Sequence, residues 1–468
     1  STTYRIYDGA CGTGGMLTVG ESCIRNLAAR RGKKVSINLF GQENFDETYA
    51  IACADMLLKG EGTQVNNIFF GSTISNDGFP KEEFDFMLSN PPFGTSWKAE
   101  LKAWGDIKKD EITDPRFIID YDGNPEYSLL PDIGDPQMLF LANNISKMKQ
   151  KTSLGSRIIE VHNSSSLFNG SAGSGASNLR RYIIENDLLE AVVALPEKMF
   201  YNTDIGTFLW ILTNKKDEKR KGTVQLIDAT SMKSLLKKNI GEKNSEITPE
   251  IRRRIIDLYL SYRDADSQFS MVFSNEEFGY YSVDVQRPLR LRTDLTSENI
   301  ESLKATAKDN DLIKLVNKCH QDAGDDVIYD FNRFLKRIGE IADNEEITLT
   351  SKRKKLLRDN LTIIDEKAEP VLDSKGKAEA DKNLKDTEQI PLLYEGGIEG
   401  FFQKEIKPYV SDAWIDEKAA TIGYELSFTK YFYKPVELRP VGSIISDLRT
   451  LEAESDGVLA GILEGFEK

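Results

Sequence analysis

Eight short runs of β-branched and apolar residues alternate with stretches of helical period between positions 4 and 229, and this alternation constrains the fold more than any other feature of the sequence. The runs are 5–7, 35–41, 67–71, 84–89, 157–162, 189–195, 207–213 and 223–228. Parallel neighbours need crossovers of about a dozen residues or more, and helices supply them, so the pattern predicts a doubly wound α/β domain on one large, mostly parallel sheet. At roughly 100 to 200 residues per domain, 468 residues should fold as two to four units. The division expected is an α/β domain over 1–230, a helical region over 231–365, a polar loop or hairpin over 366–390, and a C-terminal region over 391–468. The last of these places Ile444, Ile445, Leu448, Leu451, Val458, Leu459, Ile462 and Leu463 at mostly helical spacing, an amphipathic helix that packs on its own chain or docks a partner.

The 61 basic and 75 acidic residues give a formal net charge of -14. Nonspecific nucleic-acid binders hold phosphates with clustered Lys and Arg, so unassisted binding of that kind is disfavoured, while a local basic face or a basic partner stays open. Arg252, Arg253 and Arg254 fall on an expected helix within 232–264, as a solvated face or a DNA contact. Cys11, Cys23, Cys53 and Cys319 form no CxxC pair, which supports neither a disulfide framework nor a cysteine zinc site. His162 and His320 are the only histidines, so a metal site is not expected and most histidine acid–base schemes are disfavoured. No apolar run approaches the roughly 20 residues that span a bilayer, and residues 1–5 lack the regions of a signal peptide. The reading is a soluble, cytoplasmic protein with no membrane contact. The chain starts without methionine and enters a glycine-rich motif at once, so its natural N-terminus is expected upstream.

That motif is Tyr7-Asp8-Gly9-Ala10-Cys11-Gly12-Thr13-Gly14-Gly15-Met16-Leu17, between a short strand and a helix. Small residues there let the backbone approach a ligand and present amide N–H groups at the helix start, which suits a nucleoside-bearing ligand; a tight turn without a ligand is the competing reading. Leu17 stands where a dinucleotide fingerprint has its third glycine, and no Walker A lysine is present, so NAD and ATP are disfavoured. One βα unit later the strand ends in Gly41-Gln42-Glu43-Asn44. A carboxylate at that tip is placed to accept from both ribose hydroxyls, or else serves the dipole of the next helix. The third motif is Phe84-Asp85-Phe86-Met87-Leu88-Ser89-Asn90-Pro91-Pro92-Phe93-Gly94. Asn-Pro alone signals only a turn, and its place after the other two motifs gives it weight. The stretch 93–136, with little hydrophobic period, is too long for an ordinary connection and is expected near a substrate.

In this order the motifs resemble the amino-methyltransferases of DNA, and more closely the modification subunit of type I restriction-modification systems. The likeness continues through Asp114-Pro115-Arg116-Phe117, Asp135-Pro136-Gln137-Met138-Leu139-Phe140-Leu141, Asn163-Ser164-Ser165-Ser166-Leu167-Phe168-Asn169-Gly170, Gln286-Arg287-Pro288-Leu289 and Gly423-Tyr424-Glu425-Leu426-Ser427-Phe428, and so covers nearly the whole chain. It implies a sheet of the S-adenosylmethionine-dependent methyltransferase type with a helical C-terminal extension. It also implies methyl transfer from S-adenosyl-L-methionine to N6 of adenine in double-stranded DNA. Asp8, Ala10, Cys11, Gly12, Thr13, Gly14, Gly15, Met16, Glu43, Ser72 and Asn90 would hold the cofactor. Asn90, Pro91, Pro92 and Phe93 would carry the chemistry, with the Asn90 side-chain oxygen and the Pro91 carbonyl accepting from the amine and Phe93 stacking on the base.

The resemblance departs at two points. Family members carry a cofactor-contacting motif and a helical domain before the first strand, and neither lies in this sequence, which implies weak cofactor binding or none by this chain alone. At Gly71-Ser72-Thr73 the family places an aspartate against the cofactor's adenine, and Ser72 carries no charge. No zinc-finger spacing or strongly basic recognition helix is present. The likeness implies instead a separate specificity subunit that reads DNA, flanked by two copies of this one, and a restriction subunit in the full complex. Competing readings are a single-chain or other phage-defence adenine methyltransferase, and a non-catalytic scaffold of the same fold.

Overall fold

The computed structural model describes residues 2–59, 64–121, 124–201, 204–323, 327–432, 440–447 and 449–451. Residues 1–426 and 427–468 form two units. In the first, nine strands build one sheet: β1 (Thr2–Asp8), β2 (Val35–Glu43), β3 (Ile68–Phe70), β4 (Phe86–Ser89), β5 (Arg157–Asn163), β6 (Leu189–Ala194), β7 (Thr207–Thr213), β8 (Thr223–Asp228) and β9 (Ser270–Ser274). Their order is β9-β8-β6-β7-β5-β4-β1-β2-β3. β7 runs antiparallel to both neighbours and β9 to β8; every other pairing is parallel. The fold is thus α/β on a mostly parallel sheet, and all eight expected strands are in it. β9 is an addition.

Burial explains the strand sequences. β6, enclosed between β7 and β8, is buried at every position, as a continuous apolar run requires when both faces are covered. Its one acid, Glu190, accepts from the Tyr259 hydroxyl at 2.7 Å and pairs with Arg157. Helix α1 (Gly15–Arg30) lies against β1, β2 and β4, where a Cβ on Gly20 would come within 2.8 Å of Leu88 Cδ1. The chain moves outward from β1 to β2 and β3 on one side and from β4 on the other. The strand order therefore reverses between β1 and β4, and a crevice is expected beyond the carboxyl ends of those strands.

The segment 93–136 contains α3 (Lys98–Ala103) and the strands Ile118–Tyr121 and Asn124–Ser128. It leads into α4 (Gln137–Ser146), in which Gln137 through Ile145 are buried. Over 231–365 the expectation of helix holds only in part. Ser234–Ile240 and Lys243–Glu246 pair as an antiparallel hairpin, closed by Gly241 at a φ of +60°. That left-handed turn reverses the chain where 232–264 was expected to run as helix, and α6 begins only at Pro249 (Pro249–Ser261). Arg252, Arg253 and Arg254 are exposed on it. Gly279–Gln286 then forms the centre of a second, antiparallel sheet with Asp386–Pro391, Trp414–Ile415 and Thr421–Tyr424. Helices α7 (Ser297–Ala307), α8 (Asn310–Ala323), α9 (Phe331–Asn344) and α10 (Ser351–Leu361) close around Leu303, Leu315, Phe334, Ile338 and Leu357. Within 366–390 the chain turns back on itself, with Leu372 bridging Ala378.

The second unit contains the helix Phe428–Phe432 and helical residues at 441–447. Residues 449–451 are helical too, with Leu451 exposed, while Leu448, Val458, Leu459, Ile462 and Leu463 of the expected terminal helix lie outside the described residues. Among the described residues no helix is long and apolar enough to cross a membrane.

Arg180, on α5 (Gly175–Glu185), joins separate parts of the first unit. Fully buried, it donates to the carbonyls of Tyr424 (2.6 Å), Ser166 (3.0 Å) and Asn169 (2.8 Å), and burial draws its pKa down to about 10. Arg180→Met keeps the bulk but leaves three carbonyls without donors. A loss of about 3–5 kcal/mol is expected. A urea midpoint equal to that of the wild type would show that water replaces the guanidinium at little cost.

Candidate functional site

β1 ends at Asp8, which is 1% exposed. Asp8 Oδ1 accepts from the Ala10 N–H at 3.0 Å and from Ser89 Oγ, at the end of β4, at 2.8 Å. One carboxylate oxygen thus holds both loops at the reversal point. Burial pushes Asp8 up to about 7, and the nearby Glu160 and Glu43 act in the same direction.

Beyond Asp8 the glycine-rich loop is fixed by the tip of β2. The Cys11 N–H donates to the Gln42 carbonyl at 3.0 Å and the Gly12 N–H to Glu43 Oε2 at 2.9 Å. Gly12 and Gly14 adopt φ values of +52° and +80°, which side chains disfavour, and Gly14 turns the chain into α1. No side chain caps α1 and its first turn has no acid, so the N–H groups of Gly15, Met16 and Leu17 are the orphan donors of a helix start. A Cβ on Gly12 or Gly15 would meet nothing within 4 Å. Thr13 and Gly15 are exposed, Ala10 and Met16 half-buried, and Cys11 buried. Open space, free donors and a buried carboxylate fit a nucleoside-bearing cofactor.

Glu43 has two tasks. Its Oε1 accepts from the N–H groups of Asn44 (3.0 Å) and Phe45 (2.9 Å), bracing the entry to α2 (Asp46–Leu58), while Oε2 holds Gly12. With up to four lone-pair sites on a carboxylate and three N–H donors here, one acceptor position is spare. At the tip of β3 the Gly71 N–H donates to the Glu43 carbonyl at 2.9 Å. Ser72 Oγ donates to Glu100 Oε2 at 2.8 Å and accepts from the Ile74 N–H at 3.2 Å.

The tetrapeptide stands at the tip of β4: Asn90 and Pro92 exposed, Pro91 buried, Phe93 half-buried. Asp135 Oδ1 lies 3.5 Å from the following Gly94 N–H, and Asp135 Oδ2 accepts from Ser165 Oγ at 2.7 Å and Gln137 Nε2 at 2.5 Å. Gln137, fully buried, also donates to Asn163 Oδ1 at 2.7 Å, so this network spans the tips of β4 and β5. A cavity of about 140 Å³ opens there, lined by Asp135, Gln137, Ser165, Asn169 and Ser174 among others.

All the expected site residues therefore fall at the carboxyl ends of β1, β2, β3 and β4, on the strand tips, the loops that follow them or the first turn of α1. Three groups were missed. Ser89 abuts Asn90, but its link to Asp8 needs strand neighbours 81 residues apart. Glu100 had no local signal. Arg116, inside a recognised motif, donates from Nη1 to the Thr73 carbonyl (2.7 Å) and from Nη2 to the Ile74 carbonyl (2.6 Å), and so holds the turn after β3.

Fold and site together define a doubly wound α/β protein with an open glycine-rich loop beside an Asn-Pro-Pro-Phe turn. Residues 1–293, more than half of the sequence, match the N-6 DNA Methylase family, and the chain belongs to it. It is 29% identical over 268 residues to the MjaIX type I restriction enzyme methylase subunit of Methanocaldococcus jannaschii, which covers 56% of this chain and 42% of that protein. To the HindI methylase subunit of Haemophilus influenzae it is 28% identical over 228 residues, 48% of this chain and 44% of that one. The chain spans less than half the length of these curated relatives. Among solved structures, the type I restriction-modification methyltransferase subunit from Streptococcus thermophilus shares 25% identity over 59% of this chain and 51% of its own, with a TM-score of 0.45.

The raised Asp8 pKa makes stability depend on pH. An unfolded Asp ionises near pH 4, whereas Asp8 in the fold does so at about 7, so between these values the folded state binds more protons. Stability falls as pH rises through this window and levels off above it, by at most about 4 kcal/mol. Asp8→Asn keeps the acceptor for Ser89 and Ala10 but cannot ionise. Its melting temperature relative to wild type should rise by several degrees between pH 5 and pH 8, and a pH-independent difference would refute the assignment.

Proposed function

We propose that this chain transfers a methyl group from S-adenosyl-L-methionine to the N6 amine of adenine in double-stranded DNA, as the modification subunit of a type I restriction-modification complex. The observation that carries this reading is the Ser89–Asp8 hydrogen bond, which sets the Asn90 turn beside the glycine-rich loop. The kinship with type I methylase subunits supports the assignment to that system.

The cofactor supplies an electrophilic methyl group when bound. Asp8, Ala10, Cys11, Gly12, Thr13, Gly14, Gly15 and Met16 form the loop that holds it, Glu43 takes a ribose hydroxyl at its one spare acceptor position, and Ser72 borders the base. Adenine N6 is a poor nucleophile because its lone pair is delocalised into the ring. The Asn90 side-chain oxygen and the Pro91 carbonyl accept its two hydrogens and favour a tetrahedral nitrogen with its lone pair aimed at the methyl group. The amine gains positive charge as the N–C bond forms and the sulfonium S–CH3 bond breaks, its electron pair returning to sulfur to leave a neutral thioether, so these acceptors stabilise the transition state more than the ground state. Pro91 and Pro92 stiffen the turn in advance. One proton is lost from nitrogen, and solvent at the exposed Asn90 receives it. Histidine is not needed: His162 is fully buried, 2.9 Å from Glu160.

A base in a duplex is stacked and paired, so it must be extruded at a cost of a few kcal/mol. Phe93, half-buried at the tip of β4, stacks on it. The sequence is read by a separate specificity subunit flanked by two copies of this chain, with 440–466 as docking element and a restriction subunit in the complete cytoplasmic complex.

Methylation-sensitive sequencing of DNA from cells carrying the complete system tests this. N6-methyladenine at one split sequence is expected with the wild type, and a loss of about 100-fold or more in rate with Asn90→Ala, the scale for removing one preorganised transition-state contact. Near wild-type transfer by Asn90→Ala would sink the mechanism. Phe93→Ala should weaken DNA capture while cofactor affinity stays unchanged; equal losses of both would remove Phe93 from the base site.

A further inference from the structure

Glu100 is the one acid that α3 brings to the carboxyl edge of the sheet. Its Oε2 accepts from both the Ser72 and the Ser75 hydroxyls, at the start of the turn that follows β3. Both partners are fixed. The turn is held by the Ser72 hydroxyl accepting from the Ile74 N–H and by Arg116 on the Thr73 and Ile74 carbonyls. α3 is anchored by Trp97, 2% exposed, whose N–H donates to the Ile133 carbonyl at 3.0 Å and whose indole donates to the Asp132 carbonyl at 2.9 Å. Among the described residues no donor reaches Glu100 Oε1, and Glu100 is only half-buried. A carboxylate with one oxygen immobilised by two serines keeps its other oxygen ready to accept.

Strand order says what lies near that oxygen. The edge runs β4-β1-β2-β3, carrying in turn Asn90, the glycine-rich loop, Glu43 and the Ser72 turn with Glu100. A nucleoside whose reactive end faces Asn90 and whose ribose meets Glu43 has its base in the next position, at β3. We propose that Glu100, positioned by Ser72 and Ser75, accepts a hydrogen bond from the exocyclic amine of the cofactor's adenine and so makes the site selective for an adenine over a 6-oxo purine. This rests on the reading that the crevice binds an adenosyl cofactor. A 6-oxo purine presents a carbonyl oxygen where adenine presents the amine, and a carboxylate repels it. Glutamine in place of Glu100 can turn its amide to donate to that oxygen instead.

The test uses calorimetric binding of S-adenosyl-L-homocysteine and its deaminated, inosine-containing analogue to the full-length protein in its complex. The wild type should prefer the adenosyl ligand. Glu100→Gln should weaken it about 10-fold and cut the adenosyl-to-inosyl preference by at least as much, the scale of one hydrogen bond to a charged group. Adding Ser72→Asp, which puts a carboxylate directly on the turn, should restore the preference. A general loosening of the fold would weaken both ligands alike and leave their ratio unchanged, and that result, like an unchanged affinity, would overturn the role of Glu100 while leaving the cofactor reading intact. No binding of S-adenosyl-L-homocysteine by the wild type would overturn the cofactor reading and this proposal with it.

Discussion

The contact on which the site depends is the buried hydrogen bond between Ser89 and Asp8. Both residues are 1% exposed, so neither has water as an alternative partner, and an unmade bond would leave a buried hydroxyl unsatisfied and a buried carboxyl with one donor fewer. Asp8 spends the same oxygen on the Ala10 N–H, which ties the glycine-rich loop and the Asn90 turn to one carboxylate. Beneath it the Tyr7 and Phe84 rings stack with centroids 4.6 Å apart, and Phe79 meets each of them edge-on. The two loops come from strands that are neighbours in the sheet and far apart in sequence, and this packing keeps those strands in register.

Glu43 and Arg116 extend the same logic toward β3. Each binds backbone groups of a loop other than its own: Glu43 the Gly12 N–H, Arg116 the carbonyls after Ser72. Backbone donors and acceptors that would otherwise drift in a surface loop are thereby fixed before any ligand arrives. Charged partners suit this because hydrogen bonds to ions are about twice as strong as neutral ones. Their cost is burial, which is small for Glu43 because three N–H groups replace its water.

Legibility in the sequence follows from how local the determining forces are. The eight expected strands were readable because enclosure on both faces demands unbroken apolar runs, as in β6. β9, Ser-Met-Val-Phe-Ser, pairs only at one edge and has too little apolar contrast to stand out. The hairpin at Ser234–Ile240 was mistaken for helix because Leu235, Lys237 and Lys238 suit a helix surface equally well. What decides is Gly241, whose left-handed turn brings the two arms together. The site residues that carry motifs could be named from their order alone, since loops after parallel strands must gather at one edge. Glu100 could not, because nothing in its own neighbourhood marks it.

That contrast has a physical basis. A motif is readable when the backbone itself must be unusual, as with glycines at positive φ or prolines that stiffen a turn. Ser72 and Glu100 make no such demand: a serine in a turn and a glutamate on a short helix are ordinary, and only the folded chain makes them partners. Charge at the β3 tip is therefore a property of two segments together. In the isolated turn Ser72 looks like the loss of a function; with Glu100 against it, the edge of the crevice carries a carboxylate at β2 and another at β3.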